Sequence, residues 1–135
     1  MPKPPSPQID LGFEPPATNV VQFQQYAVAN ECGVYDKNVE VLELRHGKHN
    51  WLLATITIAF TRQGYFVGCA YHMQSSGKSL PCSIGQSPHP SRRNALIAGK
   101  AQLSAMLATL AQKSPLVREM VAYKQIKQWL DGGVS

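Results

Sequence analysis

The run WLLATITIAF at residues 51–60, the four residues TRQG, and the run YFVGCAYHM at 65–73 constrain the fold more than any other part of the chain. Both runs are rich in β-branched and aromatic residues, and Leu52, Ile56, Ile58 and Phe60 fall on one side of the first. A connection as short as TRQG joins two such strands only as an antiparallel hairpin. NVEVLEL (38–44) alternates at Val39 and Val41 and supplies a third strand, so the middle of the chain reads as a meander. SLPCSI (79–84) adds a short fourth strand, which Pro81 confines to an edge. Gly68, inside a strand, signals a bulge or the close approach of a packed helix.

The sequence turns helical after that. In PHPSRRNALIAGKAQLSAMLATLAQKSP, Ser91 is a suitable N-cap, and Leu96, Gly99, Leu103, Met106 and Leu110 recur at helical spacing. Gly99 costs about 1 kcal/mol of helix propensity, a cost that makes sense where the helix backbone lies close on a sheet. A second helix is expected from Ser114-Pro115 to just before Gly132-Gly133, with Leu116, Met120, Ile126 and Trp129 as its apolar members. Before the strands, TNVVQFQQYAVANECG carries cap-type Thr18 and Asn19, apolar Val20, Phe23 and Ala27, and Gly33 as a stop, which predicts a short helix. Pro2, Pro4, Pro5, Pro7, Pro15 and Pro16 rule out regular structure over residues 1–18 and predict an extended arm. Within it, Ile9, Leu11 and Phe13 alternate as in an edge strand.

The chain of 135 residues has the length of one domain. The expectation is therefore an α+β fold: a Pro-rich arm over 1–18, then a single domain over 19–135. In that domain an antiparallel sheet of three or four strands carries two or three helices on one face. No apolar run reaches the ~18 residues of a membrane span, and MPKPPSPQ lacks the apolar core of a secretory signal. Cys32, Cys69 and Cys82 are too few and too scattered for a disulfide framework, which predicts reduced thiols and a cytoplasmic location.

Charge is distributed unevenly. Through Glu43 there are six acids and two bases; from Leu44 onward there are two acids, Glu119 and Asp131, and eleven bases. No carboxylate occurs over residues 44–118. A solvated surface ordinarily mixes both signs, so this span predicts a positive face directed at a polyanion or an acidic protein. The residues expected to form it are Arg45, Lys48, Lys78, Ser91, Arg92, Arg93 and Lys100. Ser91, Arg92 and Arg93 set two guanidinium groups beside the free N–H donors of a helix start, which suits a phosphate or carboxylate.

Other chemistries fit less well. SSGKS at 75–79 resembles the end of a phosphate-binding loop, but His72 stands where the first glycine belongs and Pro81 follows closely, so it reads as a flexible polar turn. His46 and His49 lie in the turn RHGKHN, whereas Cys69 and His72, three apart on a strand, point to opposite faces; no metal or cofactor is predicted. Cys82 and His89 share the loop before the helix, where a nucleophilic cysteine is conceivable, but no carboxylate in the acid-free span orients the imidazole.

A helix, three strands, and a helix opening with SRRNA at 91–95 resemble the double-stranded-RNA-binding domain, whose corresponding helix begins Ser-Lys-Lys-x-Ala. The resemblance spans about residues 19–111, places RHGKHN in the region of a groove-reading loop, and finds Leu96 where that family continues with lysine. The order of strands, polar Gly/Ser loop and Pro-Ser-basic helix start is also similar to small accessory proteins of plasmids and phages. Together these imply a non-catalytic protein that binds duplex nucleic acid through a basic face within residues 44–118. The alternative is an accessory protein that docks on and modulates an acidic host protein or enzyme. The oligomeric state stays open, a homodimer included.

Overall fold

The computed structural model describes residues 26–47, 50–73 and 76–134. The meander forms as expected: β1 (Glu40–His46), β2 (Trp51–Thr61), β3 (Gly64–Met73) and β4 (Ser76–Leu80) make one sheet in the order β1-β2-β3-β4, with all neighbours antiparallel. Register follows from the hairpin: Phe60 pairs with Tyr65 and Ile58 with Val67, so one face collects Ile56, Ile58, Val67 and Cys69. Against that face pack α1 (Arg92–Lys113) and α2 (Val121–Gln128). The α+β class and the helices on one face are thus as predicted.

A bulge alters the first strand pair. Leu44 pairs with Ala54 but Arg45 with Leu52, leaving Leu53 as the extra residue. Leu53 enters the core, and Leu52 pairs with Arg45 on the other face instead of joining Ile56. Gly99 plays its expected part, because a Cβ there would lie 2.8 Å from Val67 Cγ2 and 2.9 Å from Ile56 Cγ2. Gly68 also marks a close approach, but by a different partner. A Cβ on Gly68 would meet Cys82 N at 2.5 Å and Leu80 O at 2.6 Å. The chain leaving β4, and not a helix, crosses over it on the face away from α1.

That second face has a small core of its own, Ala27, Tyr35, Ala59, Phe66 and Cys82. It is sealed by residues 26–36 and by the crossing after β4, which are joined through Tyr35 N–H donating to Cys82 O and Ile84 N–H donating to Gly33 O. Residues 26–33, the described part of the predicted first helix, are not helical. Ala27 N–H donates to Phe60 O, and the Asn30 side chain accepts from the N–H groups of Cys32 and Val34 at 2.8 and 3.1 Å. This local acceptor competes with a helical ladder, and Gly33 at φ +77° completes the turn. The rest of that helix and the arm over 1–18 lie outside the described residues.

Two further expectations are corrected. Residues 76–79, expected as a polar turn, belong to the edge strand β4, whose Lys78 and Gly77 pair with Tyr71 and His72 of β3, and the fourth strand expected over 79–84 ends at Leu80. The second helix is interrupted: Pro115–Glu119 is a 3-10 turn, Met120 is extended at ψ 140°, and α2 follows before a π-type turn over Trp129–Gly133. Ile126 is buried and Met120 and Trp129 pack half-buried against the core as expected, but the break adds Val117 and Leu130 to the buried positions and leaves Leu116 82% exposed.

Candidate functional site

Ser91 adopts extended backbone and its hydroxyl accepts from Asn94 N–H at 3.1 Å, the N-cap read from the sequence. Leu96 is buried against the sheet, which accounts for an apolar residue in the middle of the basic run. The two arginines that open α1 have different roles. Arg92 makes a bidentate pair with Glu40 at the start of β1, Nε to Oε1 at 2.7 Å and Nη2 to Oε2 at 2.6 Å. Glu40 shares the helical face because it registers with Ile58. The hydrogen bonds from Arg92 hold the Glu40 carboxyl below its ordinary pKa, with partial burial acting against them.

A carboxylate with a depressed pKa contributes stability above its unfolded pKa of about 4.3, and the contribution fades as pH falls through the lower folded value. Glu40→Gln is therefore expected to cost up to about 1 kcal/mol at pH 7, a small figure because the pair is open to solvent, and nothing near pH 2. Chemical denaturation at the two pH values checks this.

Arg93 is exposed and Lys100 half-buried, and no ion pair engages either among the described residues. With Arg92, Leu96, Ile97 and Val134 they line an open groove of about 450 Å³. The remaining expected residues lie elsewhere. Arg45 is on β1, bonded to the Glu43 carboxylate at 3.1 Å and to Asn50 O at 3.0 Å. Lys78 is on β4, exposed, and registered with Tyr71. Both belong to the end of the sheet opposite Glu40, since Leu44, Ala54 and Tyr71 form one cross-strand row and Glu40, Ile58 and Val67 another. Lys48 lies outside the described residues. The predicted set thus resolves into a cluster at the start of α1 and two separate edge positions.

Sequence reading missed an aromatic row beside that cluster. Tyr26, Phe60 and Tyr65 touch in series, with ring centroids 5.1 Å apart and planes tilted by 46° for the first pair, and 4.8 Å and 31° for the second. Arg62, in the hairpin turn, places its guanidinium 5.1 Å from the Tyr26 ring centre. The row lies one same-face step, about 7 Å, beyond the level of Ile58 and Glu40. Tyr65 and His89 exchange backbone hydrogen bonds at 2.9 and 2.7 Å, and His89 precedes Arg92 by three residues, so the groove and the row adjoin. The Phe60–Tyr65 half was implicit in a hairpin turning at TRQG; nothing local foretold that Tyr26 would complete it.

The nucleophile alternative loses its chemistry. Cys82, in the loop before α1, is buried over β2 and β3, and burial pushes its pKa up to about 11. Cys69 is likewise buried, with its pKa pushed up to about 11. At neutral pH few thiolates form at either position. Cys32, which is exposed, is expected to be alkylated first, with Cys69 and Cys82 slower by more than tenfold, as read residue by residue by mass spectrometry. Among the described residues no three His, Cys, Asp or Glu side chains gather to hold a metal, and no helix is long and apolar enough to cross a membrane. No protein-family model, curated protein or solved structure matches this chain.

Proposed function

We propose that this protein binds nucleic acid without transforming it, using the basic groove at the start of α1. The observation that carries this reading is the charge of the helical layer: residues 92–134 hold seven bases and two acids, and Arg93 and Lys100 line the groove with no ion pair among the described residues. Unpaired cations at the positive end of a helix dipole attract phosphate, and each neutralised phosphate releases counterions. Two such contacts correspond to roughly a 7- to 12-fold fall in affinity between 50 and 200 mM salt.

Binding of a random-sequence oligonucleotide, titrated across that salt range, tests the reading. Arg93→Ala with Lys100→Ala is expected to weaken binding at least tenfold and flatten the salt dependence, with little change in melting temperature. No binding at low salt, or binding indifferent to salt, overturns it. That outcome favours docking on an acidic host protein, the role expected of a mobile-element accessory protein.

A further inference from the structure

We infer that the row Tyr26, Phe60 and Tyr65 is a stacking platform for unpaired bases, so that the preferred ligand is single-stranded nucleic acid. This rests on the nucleic-acid reading above and specifies its substrate. Tyr26 is 42% and Phe60 36% exposed, a contiguous stretch of ring surface beside a core that leaves Ile56 and Val67 fully covered. Arg62 lies over the Tyr26 ring at one end of the row, and at the other Tyr65 exchanges backbone hydrogen bonds with His89, just ahead of the start of α1. The exposed ring surface, with a guanidinium at one end and the basic start of α1 at the other, offers contacts to both parts of an unpaired strand, its base faces and its phosphates. A duplex offers no base faces along its length, only edges and backbone, so it can use the arginines but not the rings.

Spacing supports the assignment. Phe60 and Tyr65 on paired strands, and Tyr26 ahead of the sheet, keep centroid separations of about 5 Å, wider than the ~3.4 Å rise per base on a duplex strand and suited to a strand whose bases are splayed. Arg93 and Lys100 continue the positive surface from Arg92 along α1, which gives the backbone of the same strand a path beyond the platform.

The test compares three labelled ligands by fluorescence anisotropy on the full chain: an eight-nucleotide oligothymidine, an abasic strand of the same length, and a duplex. Oligothymidine is expected to bind roughly tenfold or more tighter than the abasic strand. Tyr26→Ala is expected to weaken oligothymidine binding roughly five- to tenfold, leaving abasic binding and the salt slope unchanged. Phe60→Leu is expected to do the same; because Phe60 lies within β2, its melting temperature is measured alongside, and Tyr26→Ala decides if it is unstable. Arg93→Ala is expected to reduce the slope instead. Equal binding of thymidine and abasic strands, or tighter binding of the duplex, overturns the platform while the nucleic-acid reading stands. Failure of all three ligands to bind at low salt overturns both.

Discussion

Replacing Gly68 with alanine is expected to lower the melting temperature by about 10 °C or more. The added methyl group would lie 2.5 Å from Cys82 N, 2.6 Å from Leu80 O and 2.9 Å from the Pro81 carbonyl carbon. All three are main-chain atoms, so no rotamer change relieves the overlap. The crossing after β4 has to lift away, which uncovers Cys82 and strains the links from Tyr35 and Ile84 to the opposite cover. Overpacking of this kind costs about 3 kcal/mol, and for a chain of this size each kcal/mol moves the midpoint by roughly 3–5 °C. Gly47→Ala is the control: its Cβ meets nothing within 4 Å, and a shift under about 2 °C is expected. Similar midpoints for the two variants in thermal denaturation would refute the account.

Leu103→Ala is expected to cost about 3–4 kcal/mol, the second large effect. Leu103 is fully covered between α1 and the sheet, and truncation there removes its transfer energy and leaves a space that close-packed neighbours fill poorly. Leu116→Ala, the same chemical change, is expected to cost less than about 0.5 kcal/mol because that side chain stands in solvent. Urea unfolding of both variants measures the contrast directly, and equal costs would contradict the break at Met120.

Leu116 also shows where sequence reading stops. Helical spacing places Leu103 correctly because α1 is long and continuous, so one period governs the whole element. Beyond Ser114 the backbone changes from 3-10 to extended to α within a few residues, and no single period assigns faces across such a join. The hairpin was legible for the same reason as α1: alternation and a short turn are local properties. The bulge at Leu53 was not, since it depends on how β1 and β2 pair. Nor was the turn at Asn30, where one side-chain acceptor outweighs a favourable helical pattern.

The candidate site divides in the same way. Ser91 as N-cap and Arg93 as an exposed cation follow from adjacent residues. The pairing of Arg92 with Glu40 joins positions 52 residues apart and could not be read from either neighbourhood. Likewise the burial of Cys82, which removes its reactivity, depends on the crossing that Gly68 admits from another strand.

The sheet ends on both sides in strands with no further neighbour among the described residues, and such rims invite other chains to add on and build insoluble assemblies. Each rim carries deterrents. β4 has five residues, bears Lys78 near its centre and is stopped by Pro81; β1 bears Glu40, Glu43 and Arg45, and its register with β2 shifts at the bulge. A strand adding to either rim would have to bring its backbone alongside these charges, and at β4 would reach a proline with no N–H to offer. Arg45 and Lys78, which stand apart from the cluster at α1, therefore have a use that needs no ligand: they help keep a four-stranded sheet from growing.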